Sequence, residues 1–379
     1  MKIVADENIP LVREAFAAFG VVNTMPGRAI TREALADADA LLVRSITRVN
    51  PDLLEGTPVR FVATATIGED HVDKAYLQER GIAFSSAPGC NAGSVCQYVT
   101  AALLSLADAF ELRLDAMTLG VVGVGNVGGR VWKAAEALGM RCVLNDPPLA
   151  DKTCDPRYRP VAEILDCDII TLHTPLEKGG QYPTWHLADA AFLRTMKRGC
   201  ILVNTARGAV ADNEAVKAAL WEGHLRAAVL DVWENEPNPD IALVEAAFIA
   251  TPHIAGYSFD GKVNGTRQIY EALCAHLGVA PTWDPAPLLP APECPDVWVN
   301  PDDPNAVSGA VRAVYDIMKD DAAMRGILKV PNSERGAFFD RLRKEYPRRR
   351  EFFNTRARLT RPDPQLATLL SGIGFKVSG

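Results

Sequence analysis

The sequence predicts an α/β protein with two doubly wound parallel sheets and a small α+β segment at its C-terminal end, and three observations predict it. Short apolar runs alternate with helical stretches as far as residue 256, the pattern of parallel strands joined by crossover helices. A glycine-rich turn, Gly123-Val-Gly-Asn-Val-Gly128, falls between one such run and a helix. A proline-rich stretch, 280–292, then interrupts the alternation, because proline disfavours both helix interiors and central strands.

In chain order, Lys2–Ala5, Val21–Val22, Ala40–Val43, Arg60–Ala63 and Ile82–Phe84 are the apolar runs of a first, flavodoxin-like unit. Its helix starts are legible. Asn50-Pro51 reads as an N-cap with proline in the first turn, and Asp70 precedes a helix predicted over Val72–Arg80 that stops at Gly81. The loops 44–48 and 64–68 follow strands, where ligands sit in such sheets. A long apolar helix, Asn91–Phe110, leads into the next unit, and a helix over Lys262–Leu277 returns to the first. The domains expected are therefore 1–95 with 257–284, 96–256, and 285–379.

The second unit has six predicted strands: Met117–Val122, Arg141–Asn145, Asp168–His173, Cys200–Asn204, Arg226–Asp231 and Phe248–Thr251. A helix over Asn126–Leu138, with Val127, Val131, Ala134 and Leu138 on one face, follows the glycine-rich turn. Gly123 allows the tight turn, Gly125 lets backbone approach a pyrophosphate, and Gly128 lets helix and strand pack closely, with the anion at the helix N-terminus. Asp146 ends the next strand, where a carboxylate binds adenosine ribose hydroxyls and repels a ribose phosphate. Pro147-Pro148 offers no arginine to receive that phosphate. Strand, turn, helix, strand and acid in this order make a Rossmann-type domain for NAD rather than NADP.

Composition bounds the remaining classes. The 379 residues, 48% hydrophobic and 23% charged, fit two or three globular domains. A net charge of −7 leaves no basic footprint for nucleic acid. No apolar run reaches the roughly 18 residues of a membrane span, and acids stand at the N-terminus where a signal peptide is apolar. A cytoplasmic protein is expected. The eight cysteines are scattered without a Cys-x-x-Cys pair, so neither a disulfide framework nor a metal site is expected.

Four polar residues stand at or beyond strand ends: Arg207, Asp231, Glu236 and His253. Each alone is commonly structural; together with a dinucleotide turn they suit oxidation of a 2-hydroxy acid. His253 serves as base for the hydroxyl proton, Glu236 orients the imidazole and favours its protonated form, and Arg207 binds the carboxylate with a planar donor fork. His173 lines the cofactor site. His71, His186, His224 and His276 show no partner in the sequence and receive no role.

These stretches are similar to the D-isomer-specific 2-hydroxyacid dehydrogenase family. The matching residues are Gly123–Gly128, Leu172-His-Thr-Pro175, Leu202-Val-Asn-Thr-Ala-Arg-Gly208, Leu230-Asp-Val-Trp-Glu-Asn-Glu-Pro237 and Thr251-Pro-His-Ile-Ala-Gly256. Ala5–Pro10, Val43–Asn50, Ala65–His71, Ala87–Ala92 and the C-terminal segment extend the likeness to members that act on a small phosphorylated 2-hydroxy acid and dimerise through that segment. The resemblance implies that Ser45, Thr66 and Tyr257 touch substrate. It implies that Gly123, Gly125, Asn126, Val127, Gly128, Asp146, Thr174, Ala206, Asp231 and Gly256 hold the cofactor, and that Arg207, Glu236 and His253 are catalytic. A phosphate near charge −2 needs cations that an acidic chain supplies locally; Arg44 and Arg48 are first candidates, and Arg348-Arg-Arg350 from a partner subunit the second. One departure is Ala92-Gly-Ser-Val-Cys-Gln-Tyr98, where relatives often carry Val-Ala-Glu or Val-Val-Glu: Gly93 and Ser94 weaken the start of the long helix. A D-3-phosphoglycerate dehydrogenase shares every catalytic residue and is the nearest alternative, and an NAD-sensing binding module is the alternative from another class.

Overall fold

The computed structural model describes residues 1–378 and divides into two compact units, 1–91 with 258–291 and 92–257 with 292–379. In the first unit, strands β1 (Lys2–Asp6), β2 (Val21–Met25), β3 (Ala40–Val43), β4 (Phe61–Thr64) and β5 (Ala83–Ser85) form an all-parallel sheet in the order β2-β1-β3-β4-β5. β1, β3 and β4 are apolar and almost wholly buried, as strands covered by helices on both faces must be. Asn50 caps the helix Pro51–Leu54, its Oδ1 accepting from Leu53 N at 3.2 Å. The helix predicted over Val72–Arg80 is shorter, Lys74–Glu79. Its cap is Asp73 rather than Asp70, because Val72 is held in a bridge to Val49. The helix Phe259–Leu277 is capped by Ser258 and ends at Gly278 in the left-handed conformation. It packs so close to the loop after β4 that a Cβ at Gly265 would lie 2.7 Å from the Ala65 carbonyl oxygen.

The second unit has the six strands expected: β6 (Thr118–Val122), β7 (Arg141–Asn145), β8 (Ile169–Leu172), β9 (Cys200–Asn204), β10 (Leu225–Leu230) and β11 (Ile249–Ala250). They are all parallel in the order β11-β10-β9-β8-β6-β7, so the direction of winding reverses between β6 and β8. The helix Ala92–Phe110 buries one face on this sheet's core, with Tyr98, Val99, Leu103 and Leu106 inaccessible. Its unusual start has a tertiary cause. The Glu351 carboxylate accepts from Ser94 Oγ at 2.9 Å, and a Cβ at Gly93 would stand 2.5 Å from Glu351 Oε2. Small residues there admit a buried acid from the far end of the chain.

The C-terminal residues add a three-stranded parallel sheet, β12 (Asp296–Val299), β13 (Arg356–Leu359) and β14 (Lys376–Ser378), with helices between. After β12 come two helices, Ala306–Val314 and Ile317–Arg325, and Asp316 between them caps the second by accepting from Met318 N. Val311, Ile317 and, on the helix Arg335–Lys344, Phe339 are buried inside the chain's own unit. The same segment closes the open edge of the large sheet. Asp321 Oδ1 accepts from Ala250 N on β11 at 2.8 Å, while its Oδ2 receives Arg325 Nε at 2.7 Å and Arg325 Nη2 donates to the Ala247 carbonyl at 2.7 Å. All eight cysteines are free thiols. No helix among the described residues is long and apolar enough to cross a membrane. Replacing Asp321 with Ala leaves the buried Ala250 N–H without an acceptor and Arg325 without its carboxylate, and should cost about 2–3 kcal/mol of the second unit's stability, measured as a lowered urea midpoint.

Candidate active site

Every loop singled out in the second unit leaves the carboxyl end of a strand, where a doubly wound sheet binds ligands. After β6, Gly123 has φ +84°, and a Cβ there would press on the His173 backbone; at Gly128 a Cβ would overlap the Gly123 carbonyl. At Gly125 a Cβ would meet nothing within 4 Å, so backbone is open to approach there. The helix of this turn starts at Gly128 rather than Asn126, leaving Asn126 exposed and Val127 in front of the first helical turn. Asp146 joins the turn to the next strand, accepting from Val124 N at 2.8 Å and from Leu149 N at 3.0 Å as a helix cap. The Thr174 hydroxyl, whose methyl would face a Cβ at Gly123, is buried without a hydrogen-bond partner. The crowded glycines, the half-exposed carboxylate and the orphaned hydroxyl fit a dinucleotide laid over this turn.

His173 lies between two threonines, its Nε2 2.9 Å from Thr171 Oγ1 and its Nδ1 3.1 Å from Thr205 Oγ1. Burial lowers its pKa to about 3, so it is neutral at physiological pH and serves as hydrogen-bonded scaffolding between the loops after β8 and β9.

The loop after β10 carries Glu236, and the loop after β11 carries His253. His253 Nδ1 and Glu236 Oε2 are 2.7 Å apart. A carboxylate only accepts, so this pairing places the imidazole proton on Nδ1. Glu236 Oε1 receives the Trp233 N–H at 2.9 Å, which leaves both oxygens engaged. Burial opposes the Glu236 charge, but the His253 charge, these hydrogen bonds and the more distant Arg343 outweigh it and hold the carboxyl below its usual range. His253 itself adopts φ +58°, held by its own N–H to the Asp231 carbonyl at 2.7 Å. The Asp231 side chain, 1% exposed, accepts from Thr251 Oγ1, Ile254 N and Ala255 N at 2.7–2.9 Å. Asp231 thus shapes the whole turn from Thr251 to Gly256.

Arg207 sits half-buried in the loop after β9, its Nη1 donating to the Ala206 carbonyl at 2.8 Å. Asn204 pins that loop by accepting from Ala206 N and donating to the Arg207 carbonyl, both at 3.1 Å. Gly208 is indispensable to its packing, since a Cβ there would overlap the Trp233 carbonyl and crowd Glu234 N. Asn213 bonds reciprocally with Glu234, each N–H to the other's side-chain oxygen at 3.0 Å. His186, without a visible partner in the sequence, bonds Glu234 Oε1 at 2.8 Å and faces Asp212 at 3.8 Å. Sequence reasoning missed Asn204, Gly208, Asn213 and His186 as supports of these loops. Only Gly208 and Asn204 carried a signal, as members of the motif around Arg207. Of the other histidines left without a role, His71 bonds Thr64, His224 bonds the Met196 carbonyl and His276 packs on Phe61.

In the first unit, Arg44 and Ser45 follow β3, and Thr66 follows β4. Arg44 Nη1 donates to the Asn8 carbonyl at 3.4 Å across the point between β1 and β3 where this sheet's winding reverses. Thr66 Oγ1 lies 2.7 Å from Thr64 Oγ1, and Ser45 and Arg48 are exposed. The C-terminal arginine run does not project as a unit. Arg349 and Arg350 are 7% and 8% exposed; Arg349 stacks 4.0 Å over Tyr315 and donates to the Ala255 carbonyl, and Arg350 bonds Asn354. Stacking and hydrogen-bond acceptors within the chain turn two of the three cations inward, and of the run only Arg348 is exposed.

Comparison with known proteins places this geometry. Residues 100–255 match the family model described as D-isomer specific 2-hydroxyacid dehydrogenase, NAD binding domain, and residues 288–374 match a domain of unknown function, DUF3410. Erythronate-4-phosphate dehydrogenase from Pseudomonas syringae pv. tomato is 48% identical over 377 residues, 99% of each chain. The chain belongs to the erythronate-4-phosphate dehydrogenase family. An Enterobacter member is 46% identical over 99% of this chain and 98% of its own. Among solved structures, D-lactate dehydrogenase from Aquifex aeolicus, complexed with NAD and lactic acid, superposes with a TM-score of 0.60 at 24% identity over 73% of this chain and 96% of its own. NAD-bound 3-phosphoglycerate dehydrogenase from Entamoeba histolytica gives 0.62 at 24% identity, over 73% and 95%. Those two share the fold. The chain is an NAD-dependent 2-hydroxyacid dehydrogenase.

His173 also makes a pH test. Its pKa is near 3 folded and about 6.5 unfolded, so the unfolded chain takes the proton first as pH falls. The stability of the neutral form is complete above about pH 6.5 and is lost as pH falls towards 3. Urea titrations at pH 7.5 and 5 should show His173→Gln losing less stability than the wild type on acidification, by up to about 2 kcal/mol.

Proposed function

We propose that the chain oxidises 4-phospho-D-erythronate at C2 to (R)-3-hydroxy-2-oxo-4-phosphooxybutanoate, a step of pyridoxine 5′-phosphate (vitamin B6) biosynthesis in the cytoplasm. The likeness to named erythronate-4-phosphate dehydrogenases over 99% of both chains carries the substrate. The His253–Glu236 pair carries the chemistry.

With Nδ1 bonded to Glu236, Nε2 of His253 takes the C2 hydroxyl proton. Bound NAD, held by the cofactor bed, would supply the acceptor for the hydride from C2. The Glu236 carboxylate compensates the imidazolium that forms and holds the ring in one orientation, and the Trp233 N–H holds that carboxylate in turn. Arg207 binds the substrate carboxylate and stabilises charge as the carbonyl develops. Ser45, Thr66 and Tyr257 contact the remainder of the substrate, with Arg44 towards its phosphate. Gly123, Gly125, Asn126, Val127, Gly128, Asp146, Thr174, Ala206, Asp231 and Gly256 form the cofactor bed. The protein works as a homodimer through residues 285–379, where Trp298, 70% exposed, and Phe353 leave apolar surface uncovered.

The deciding experiment is NADH formation with 4-phospho-D-erythronate beside D-3-phosphoglycerate, with a 2-oxo acid present so that retained NADH is reoxidised. A preference for the four-carbon acid above about tenfold in kcat/KM is expected; the reverse preference moves the substrate to 3-phosphoglycerate and leaves the catalytic trio unchanged. His253→Gln should lower kcat by about 10²–10⁴, and Glu236→Gln should lower it while moving the acid limb of the pH–rate profile. Sedimentation equilibrium should return twice the 41.0 kDa chain mass; a monomer at micromolar concentration removes the dimer.

A further inference from the structure

The C-terminal helix Arg335–Lys344 runs along both catalytic loops of its own unit. Near its start, a Cβ at Gly336 would lie 3.0 Å from Asn238 Oδ1 and 3.3 Å from Pro237 Cγ, the two residues that follow Glu236. Two turns later, on the same helical face, the Arg343 guanidinium stands 5.9 Å from the Tyr257 ring centroid and 6.0 Å from that of the buried Phe339. The Tyr257 hydroxyl is a hydrogen-bond partner of Arg343, and the Glu236 carboxylate is close enough to stabilise its charge. Arg343 Nε is nevertheless buried with no hydrogen-bond acceptor. A desolvated guanidinium N–H without an acceptor costs free energy unless something anionic completes it. The neighbouring surfaces supply a phenol and a carboxylate already engaged by Trp233 and His253.

We propose that Arg343 is a substrate-binding residue that selects the phosphorylated acid, its planar fork and the Tyr257 hydroxyl together receiving the phosphate. The assignment rests on the proposed reading of the substrate as a phosphorylated 2-hydroxy acid. A dianionic tetrahedral group suits a guanidinium beside a phenol, because two N–H donors and an O–H converge on separate oxygens. A neutral hydroxyl terminus would offer Nε only an uncharged and therefore weaker acceptor than a phosphate oxygen. On this account residues 288–374 are part of the active site of their own chain: they deliver a guanidinium beside Glu236 and Tyr257.

The test compares wild type, Arg343→Met and Arg343→Lys on 4-phospho-D-erythronate and on unphosphorylated D-erythronate. Arg343→Met should lower kcat/KM for the phosphorylated acid about 100-fold or more, chiefly through KM, and change that for D-erythronate less than threefold. Arg343→Lys should fall between, since it keeps the charge and loses the fork. If D-erythronate turns over too slowly to measure, its inhibition constant against the phosphorylated acid is the equivalent readout and should not move. Inorganic phosphate should compete with the phosphorylated substrate in wild type and lose at least tenfold in inhibition by the Met variant. Equal loss on both acids makes Arg343 a support for Tyr257 and overturns the assignment, as does an unchanged KM for the phosphorylated acid. A wild type that turns over neither acid overturns the substrate reading itself. A wild type that prefers 3-phosphoglycerate moves the same comparison to that acid and glycerate.

Discussion

The buried carboxylate of Asp231 is the constraint on which the loops of Glu236 and His253 depend. Desolvation raises its pKa, and the nearby His253 and three hydrogen bonds pull the other way. Those bonds come from Thr251, Ile254 and Ala255, and the Asp231 carbonyl takes the His253 N–H as well. The turn therefore closes around one residue and presents the imidazole at φ +58°, a conformation that a free loop would rarely hold. The network extends into the core, because Tyr98 on the long helix lies 2.7 Å from Thr251 Oγ1. An acid buried this completely is tolerated because every lone-pair direction that the turn needs is used.

The Glu236 loop is held by shape as much as by charge. Trp233 donates its indole N–H to the Thr251 carbonyl at 2.9 Å and its backbone N–H to Glu236, so one residue ties the Glu236 loop to the His253 loop. Gly208 lets the Arg207 loop lie directly on the Trp233 backbone, and Asn213 with His186 braces Glu234 from the other side. Three loops from three strand ends are thereby tied to one another, which keeps the spacing between Arg207, Glu236 and His253 fixed.

The C-terminal segment completes this surface from behind. Asp321 satisfies the edge of β11, Arg349 reaches the Ala255 carbonyl, and Glu351 takes the Ser94 hydroxyl at the start of the long helix. Each contact is polar and largely buried, so the segment is an integral part of the second unit's core. Asp320 illustrates the cost. Burial raises its pKa, while hydroxyls from Tyr315 and Tyr346 and the charge of Arg349 work against that shift.

The two parallel sheets, their eleven strands, the glycine turn with Asp146, and the chain order of Arg207, Glu236 and His253 were all legible from residue pattern. Periodicity, turn chemistry and motif spacing are local quantities, and they decide which backbone forms and where strands end. Charge pairing between distant residues has no period. Nothing in Arg348-Arg-Arg350 distinguishes two buried arginines from three solvated ones until Tyr315 and the Ala255 carbonyl are placed beside them. Gly93 and Ser94 looked like a weak helix start because the Glu351 that requires them lies 257 residues from Ser94. Arg343, with nothing in the sequence to set it apart from its neighbours, acquires its surroundings only when the helix Arg335–Lys344 packs along the loops of Glu236 and His253. Local sequence thus decided the two large sheets and the strand ends at which Arg207, Glu236 and His253 stand. Tertiary packing, which brings charges together across hundreds of residues and removes water from between them, settled how those groups are held.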